Sequence, residues 1–193
     1  MARIPYREKE GAPLEVVEIY NKIESRGFPV TNVFRMAANS PSTLAHLIRM
    51  GDAILIKTKL NPKFREMAIL RSAAILDCDY EFQAHIRYGK QVGMTDEEIE
   101  AIKDWEKSKL FNETERAVLR FVDEVARGGR VKDKTFSDLK RYLDEQEMVE
   151  LTLTVGYYGM LARLLLAFQV DLQVRPQSSV EKVLDRSRAQ KKS

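Results

Sequence analysis

Cys78, Glu81 and His85 follow one another at spacings of three and four residues. On a helix of 3.6 residues per turn these spacings put a thiol, a carboxylate and an imidazole on one face, a turn apart. Such side chains serve proton transfer and nucleophilic attack, because burial and neighbouring charge move their pKa values toward neutrality. Each also has a purely structural reading: His85 as a satisfied core histidine, Cys78 as small buried filler, Glu81 as a surface acid paired with a cation. Their convergence on one face, beside a break in the apolar pattern, makes them a candidate site.

Glu66 adds a fourth group. Ile69, Leu70 and Ala73 lie one and two turns along from it, so its carboxylate shares an apolar stripe in which an unpaired charge is costly. It must be paired or protonated, either as a general acid or base or as a buried anchor for His85 or Arg163. Arg163 shows the same anomaly, with Gly159, Met160, Leu166 and Ala167 around it at helical spacing. A buried arginine needs a partner, and Arg163 is expected near the site or at a subunit interface.

The elements that must position these groups read as helices. Periodic stretches have helical spacing, and no alternating run is bounded by hairpin signals, so the fold class is all-α. Pro13 opens a first helix that ends at Gly27 to Pro29, and a short one follows around 32–38. Ser40-Pro41 launches an amphipathic helix that runs through Leu44, Leu47, Ile48 and Ile54 to Leu60. Asn61-Pro62 repeats the device and starts the helix that carries Glu66. The break at Asp77-Cys78-Asp79-Tyr80 predicts a further helix from about Tyr80 to Gln91, ended by Gly93.

Thr95 to Glu98 form a capping box for a short acidic helix that ends near Trp105. Asn112 caps another that stops at Gly128-Gly129, a polar helix covers about 134–143, and 147–172 is the longest apolar segment. Residues 174–193 form a charged peripheral tail. No internal repeat and no dividing linker is visible, so one domain over 1–193 is expected.

The formal charge of +3 comes from 32 basic and 29 acidic residues, interleaved apart from the basic end of the tail. Without a basic stripe on a folded face, nucleic-acid binding is not expected. A single cysteine in the chain excludes an internal disulfide. With charges where a signal peptide would have its apolar core, a cytoplasmic address is expected. The stretch from Leu151 to Leu172 contains Arg163, two glycines and Gln169. It falls short of an uninterrupted span of about 20 apolar residues, so it reads as a buried helix and not a membrane segment.

Three stretches together resemble the core motif of the carboxymuconolactone decarboxylase family, which includes the alkylhydroperoxidase D-like proteins. They are Arg65-Glu66-Met-Ala-Ile-Leu-Arg71, Asp77-Cys78-Asp-Tyr-Glu81-Phe-Gln-Ala-His85 and Gly93-Met-Thr-Asp-Glu-Glu-Ile99. The core likeness covers about 60–102. Thr31-Asn32-Val-Phe-Arg35 and Gly156-Tyr-Tyr-Gly-Met-Leu-Ala-Arg163 look like the flanks of longer members. The resemblance implies a compact helical domain that assembles into homo-trimers or hexamers.

In alkylhydroperoxidase D a glutamate, a Cys-x-x-Cys pair and a histidine form a proton relay that reduces peroxides. Glu66, Cys78 and His85 match those positions, but Glu81 stands where the second cysteine would be. The internal disulfide cycle is therefore unavailable, and Cys78 would need an outside thiol or have no redox role. The decarboxylases keep the glutamate and histidine without a cysteine pair and use no metal or organic cofactor. By that resemblance His85 would protonate a developing carbanion or enolate, Glu66 or Glu81 would hold and tune the imidazole, and Arg163 would bind the substrate carboxylate.

The leading expectation is a cofactor-independent lyase or isomerase acting on a small carboxylated substrate. The second is a thiol-dependent peroxidase using Cys78 alone, which needs a depressed thiol pKa and is opposed by the charges of Asp77 and Asp79. The third is a non-catalytic helical assembly module. Glu81 and His85 give too few ligands for a metal, so no metal site is expected.

Overall fold

Proline and polar caps set where the helices begin. In chain order the helices are α1 (Leu14–Ser25), α2 (Asn32–Ala37), α3 (Pro41–Asp52), α4 (Pro62–Ile75), α5 (Asp79–Gln91), α6 (Asp96–Ala101), α7 (Glu113–Gly128), α8 (Asp133–Leu139) and α9 (Glu145–Phe168). The computed structural model describes residues 1–172, and no strand occurs among them, in agreement with the all-α expectation. The charged tail lies outside the described residues. Asn61 caps α4 by accepting the Lys63 amide at 2.9 Å, with Pro62 in the first turn where its missing N–H costs nothing. The expected capping box at Thr95 and Glu98 forms on α6, and Asn112 with Glu115 makes a second on α7.

The described residues divide into two compact units, 1–48 with 168–172, and Arg49–Ala167. In the first, Val16, Tyr20, Ala37, Ala38 and Leu44 form the apolar core. Nearby, Tyr6 donates its hydroxyl to Asp171 at 2.9 Å and accepts the Asp171 amide at 2.8 Å.

The second unit is built around α4, which is buried at every position from Glu66 to Ala73. Ala68 enters one apolar cluster with Val118, Val122, Leu139, Leu151 and Val155. Met67 and Leu70 enter another with Phe82, Ile102, Trp105 and Leu119. Each large apolar side chain so buried stabilises the fold by about 1.5–3 kcal/mol. Charged residues on so enclosed a helix need partners. Arg71 has both carboxylate oxygens of Asp123 and the carbonyls of Ile102 and Lys103.

Four helices depart from their expected ends, one of them α8, which stops at Leu139, short of 143. α3 stops at Asp52, short of Leu60, and a wide π-helical turn over Ala53–Lys57 follows. Side chains compete for its carbonyls: Thr58 donates to Ile54 at 2.8 Å, and Arg65 donates to Leu55 at 3.0 Å. The segment after α6 tightens into a 3-10 turn over Ile102–Lys107, broken at Asp104. α9 ends at Phe168, where Gln169 takes a left-handed conformation with φ of 51°.

α9 also corrects the reading of its segment as a buried helix. Leu151, Val155, Tyr158, Leu161 and Leu165 are buried, but Val149, Leu153, Met160 and Leu166 are exposed. Among the described residues α9 is the one helix long and apolar enough to cross a membrane, and half of that stretch is buried in the fold.

Candidate active site

The break between α4 and α5 is a Schellman turn. Asp77 sits in the left-handed region with φ of 51°. The Cys78 amide donates to Ala73 at 2.9 Å and the Asp77 amide to Ala74 at 3.4 Å, which satisfies the last carbonyls of α4. The chain turns back, so α5 packs antiparallel along α4. Cys78 is the N-cap of α5 and Glu81 lies in its first turn. His85, one turn further on, meets Glu66 on the facing helix.

Glu66 is fully buried and has two partners. Its Oε1 accepts from Arg65 Nε at 3.1 Å, and its Oε2 lies 2.8 Å from His85 Nδ1. The Arg65 guanidinium also donates to the Leu55 carbonyl in the π-helical turn. Because the arginine is permanently charged and donor-only, the carboxylate accepts the Nδ1–H of His85. The other ring nitrogen, Nε2, then faces Glu81 Oε2 at 3.7 Å, too far for a hydrogen bond but close enough for charge to act. His85 and Glu81 keep a small exposed edge, with side chains 7% and 6% accessible, while Glu66 has none.

Tyrosines wall the imidazole. The Tyr158 ring meets His85 edge-on at 4.9 Å and the Tyr88 ring lies at 5.3 Å. Tyr157 packs edge-on against Tyr158 at 5.2 Å. Gly51 makes room for this wall, since a Cβ there would stand 2.6 Å from the Tyr157 hydroxyl.

Burial governs the titration of these groups. It pushes the Glu81 carboxyl above its ordinary range, against the pull of His85. It also raises the Cys78 thiol. The helix-start amides of Glu81 and Tyr80 oppose that rise, while the charges of Glu81 and Asp79 add to it. Burial, with the charges of Glu66 and Glu81, holds the Tyr158 phenol well above its usual value. Tyr157 is raised by burial and by Glu81 and Asp52. Both phenols stay protonated at neutral pH and are therefore hydrogen-bond donors.

Of the residues singled out from sequence, Glu66, Glu81 and His85 converge, and Cys78 stands at the head of the same helix within reach of Glu81's charge. Arg163 does not join them. It is exposed, and its Nη1 donates to the Gly159 carbonyl of its own helix at 2.9 Å. At about 100° per residue it lies roughly 140° around α9 from Tyr158. The apolar neighbours that suggested burial, Met160, Leu166 and Ala167, are exposed with it. The arginine that holds Glu66 is Arg65. Sequence reasoning also passed over Tyr157 and Tyr158, whose signal was two adjacent hydroxyls inside an apolar run.

Residues 41–124 match the model of the carboxymuconolactone decarboxylase family, a stretch that includes Glu66, Cys78, Glu81 and His85. The uncharacterized protein YnjA of Escherichia coli (strain K12) is 25% identical over 119 residues, 61% of this chain and 65% of that protein, just under two thirds of its length. Among solved structures, the alkylhydroperoxidase AhpD core of an uncharacterized peroxidase-related protein from Ralstonia eutropha JMP134 has a TM-score of 0.77. It is 19% identical and is matched over 89% of this chain and 92% of that one. A cysteine-to-alanine variant of the debrominase Bmp8, in complex with 2,3,4-tribromopyrrole, has a TM-score of 0.73 at 16% identity, over 95% of this chain and all of that one (100%). The family match spans residues 41–124, a little under half of the chain, and takes in Glu66, Cys78, Glu81 and His85 of the candidate site, while the two solved structures show the fold.

Proposed function

We propose that this protein is an acid–base enzyme, a cofactor-independent lyase or isomerase acting on a small carboxylated substrate, with His85 Nε2 as the proton-transferring atom. The observation that carries the reading is the 2.8 Å contact between His85 Nδ1 and the buried Glu66 carboxylate. It commits one ring nitrogen to a fixed partner and leaves the other for chemistry. Neutral His85 takes a proton at Nε2 from a carbon beside a carbonyl, and the bonding pair moves onto the carbonyl oxygen as an enolate. The imidazolium so formed lies between Glu66 and Glu81. It returns the proton to carbon at a second position in an isomerase; in a decarboxylase the enolate forms instead by loss of carbon dioxide, the C–C bonding pair moving onto the carbonyl oxygen, and a His85 imidazolium donates the proton that replaces the carboxylate on carbon. The protonated phenols of Tyr157 and Tyr158 are the kind of donor such an oxyanion requires. Glu66 and Arg65 act through His85, as positioning residues.

The test is deuterium incorporation from D2O into small oxo acids beside their carbonyl, followed by NMR. His85→Gln is expected to lose about 10²–10⁴-fold in rate. Glu66→Gln is expected to lose less and to move the pH profile, with partial recovery in Glu66→Asp. Exchange by His85→Gln at the wild-type rate sinks the reading.

A second reading, the single-cysteine peroxidase, has one observation in its favour: the Tyr80 and Glu81 amides at the helix start lower the Cys78 thiol pKa. In it the thiolate attacks peroxide oxygen, an alcohol or water leaves, and two external thiols reduce the sulfenic acid, departing as their disulfide with water. Burial outweighs those amides, which favours the acid–base reading. Cys78→Ser separates the two, since it abolishes peroxide reduction under the second and leaves proton exchange intact under the first.

A further inference from the structure

Glu81 stands beside His85 without a task in the acid–base reading. Its side chain keeps 6% exposure, and among the described residues its carboxyl makes no hydrogen bond. The one charge that acts on it is that of His85, whose Nε2 lies 3.7 Å from Oε2. Arg65, the arginine of the site, is taken up by Glu66 and the Leu55 carbonyl. A carboxyl so enclosed and without a partner is costly. A ligand seated against His85 would satisfy it.

The 3.7 Å gap between the two groups fits a carbonyl compound. A carbon beside a carbonyl and that carbonyl's oxygen are about 2.4 Å apart by standard bond lengths. Set across the gap, the carbon comes within about 3–3.5 Å of Nε2, and the oxygen within about 2.5–3.0 Å of Oε2. We propose that Glu81 is the general acid of the reaction, giving its proton to the substrate's carbonyl oxygen while His85 takes one from the neighbouring carbon. The inference rests on the reading of His85 as the base and adds the other half of the transfer. The C–H bonding pair becomes the carbon–carbon double bond of an enol, and the carbonyl π pair takes the Glu81 proton. A neutral acid and a neutral base become a carboxylate and an imidazolium side by side, so no net charge appears. A bare enolate in the same enclosed site would be an unpaired charge. The carboxylate then recovers its proton from the enol oxygen as the imidazolium delivers to the second carbon. Burial, by raising the Glu81 carboxyl, keeps the acid protonated further up the pH scale.

The test is deuterium exchange from D2O into levulinate, a small oxo acid, by the full chain. Glu81→Gln is expected to lose about 10²-fold or more in kcat with KM little changed. Glu81→Asp, which still has a proton to give from a shorter arm, is expected to recover part of the loss. The wild-type pH profile is expected to be bell-shaped, because the pair works with one proton between its two members. Glu81→Gln is expected to keep the rising limb, set by His85, and to lose the falling one. The other titratable groups around the pair are Glu66 with Arg65 on α4, Cys78 and Tyr88 on α5, and Tyr157 and Tyr158 on α9. Cys78→Ser and Tyr88→Phe are expected to leave the falling limb in place. Exchange by Glu81→Gln at the wild-type rate overturns the proposal while leaving His85 as the base. So does a slowed Glu81→Gln that keeps the falling limb, since Glu81 then only tunes the imidazole. Full exchange by His85→Gln, or none by the wild type, overturns the reading of His85 and the proposal with it.

Discussion

A carboxyl group taken out of water keeps its proton longer, and at Glu81 this works against the stability of the native state at neutral pH. In the unfolded chain the group ionises near its ordinary value of 4.5, and in the fold only at higher pH. Between those two points the native state holds more protons than the unfolded state. The free energy of unfolding therefore falls as pH rises through that window, and the loss persists above it. One such group contributes a slope of at most about 1.4 kcal/mol per pH unit. Glu81→Gln cannot ionise, so in urea unfolding across acid to neutral pH it is expected to lack this fall. It gains on the wild type as pH rises. A difference between variant and wild type that is constant with pH would mean that burial of the charge is not what shifts Glu81. The tyrosines belong to this scale too, because their raised phenols keep donors, not further anions, around His85.

The elements position these groups through two irregularities. The π-helical turn after α3 offers the Leu55 carbonyl to Arg65, which in turn holds Glu66. The turn between α4 and α5 needs a residue at positive φ, and Asp77 supplies it. Aspartate tolerates this region better than branched residues do. Asp77→Val is expected to cost about 1–2 kcal/mol in thermal or urea unfolding and to loosen the approach of His85 to Glu66. Asp77→Gly is expected to be no less stable than wild type. Equal stability of the valine and glycine variants would show that the turn carries no such constraint. Helix starts were legible because a cap acts on amides two or three residues away. The π-helical turn was not, since the groups competing for its carbonyls include Arg65, ten residues on from Leu55.

At the scale of the whole molecule the exposed side of α9 bears on assembly. Val149, Leu153, Met160 and Leu166 are apolar and open to solvent. The first three, with the exposed Gly156, recur at alternating spacings of four and three, the pattern of a helix-packing seam. Assembly of the chain into a homo-oligomer, as the family resemblance implies, would cover such a seam. Replacing Leu153 and Met160 together by glutamate is expected to lower the mass seen by light scattering by at least twofold while circular dichroism stays helical. An unchanged mass would count against such a seam.

The all-α class, most helix starts and the shared helix face of Glu81 and His85 followed from sequence alone. Each depends on local spacing: caps act within a turn, and residues three and four apart share a helix face. The partner of Glu66, the open position of Arg163 and the tyrosine wall depended on tertiary structure. Glu66 and His85 are 19 residues apart, and Tyr158 reaches the imidazole from a helix far along the chain. An apolar run looks the same in sequence whether its helix is enclosed or half open, so only packing could separate the buried face of α9 from the one that carries Arg163.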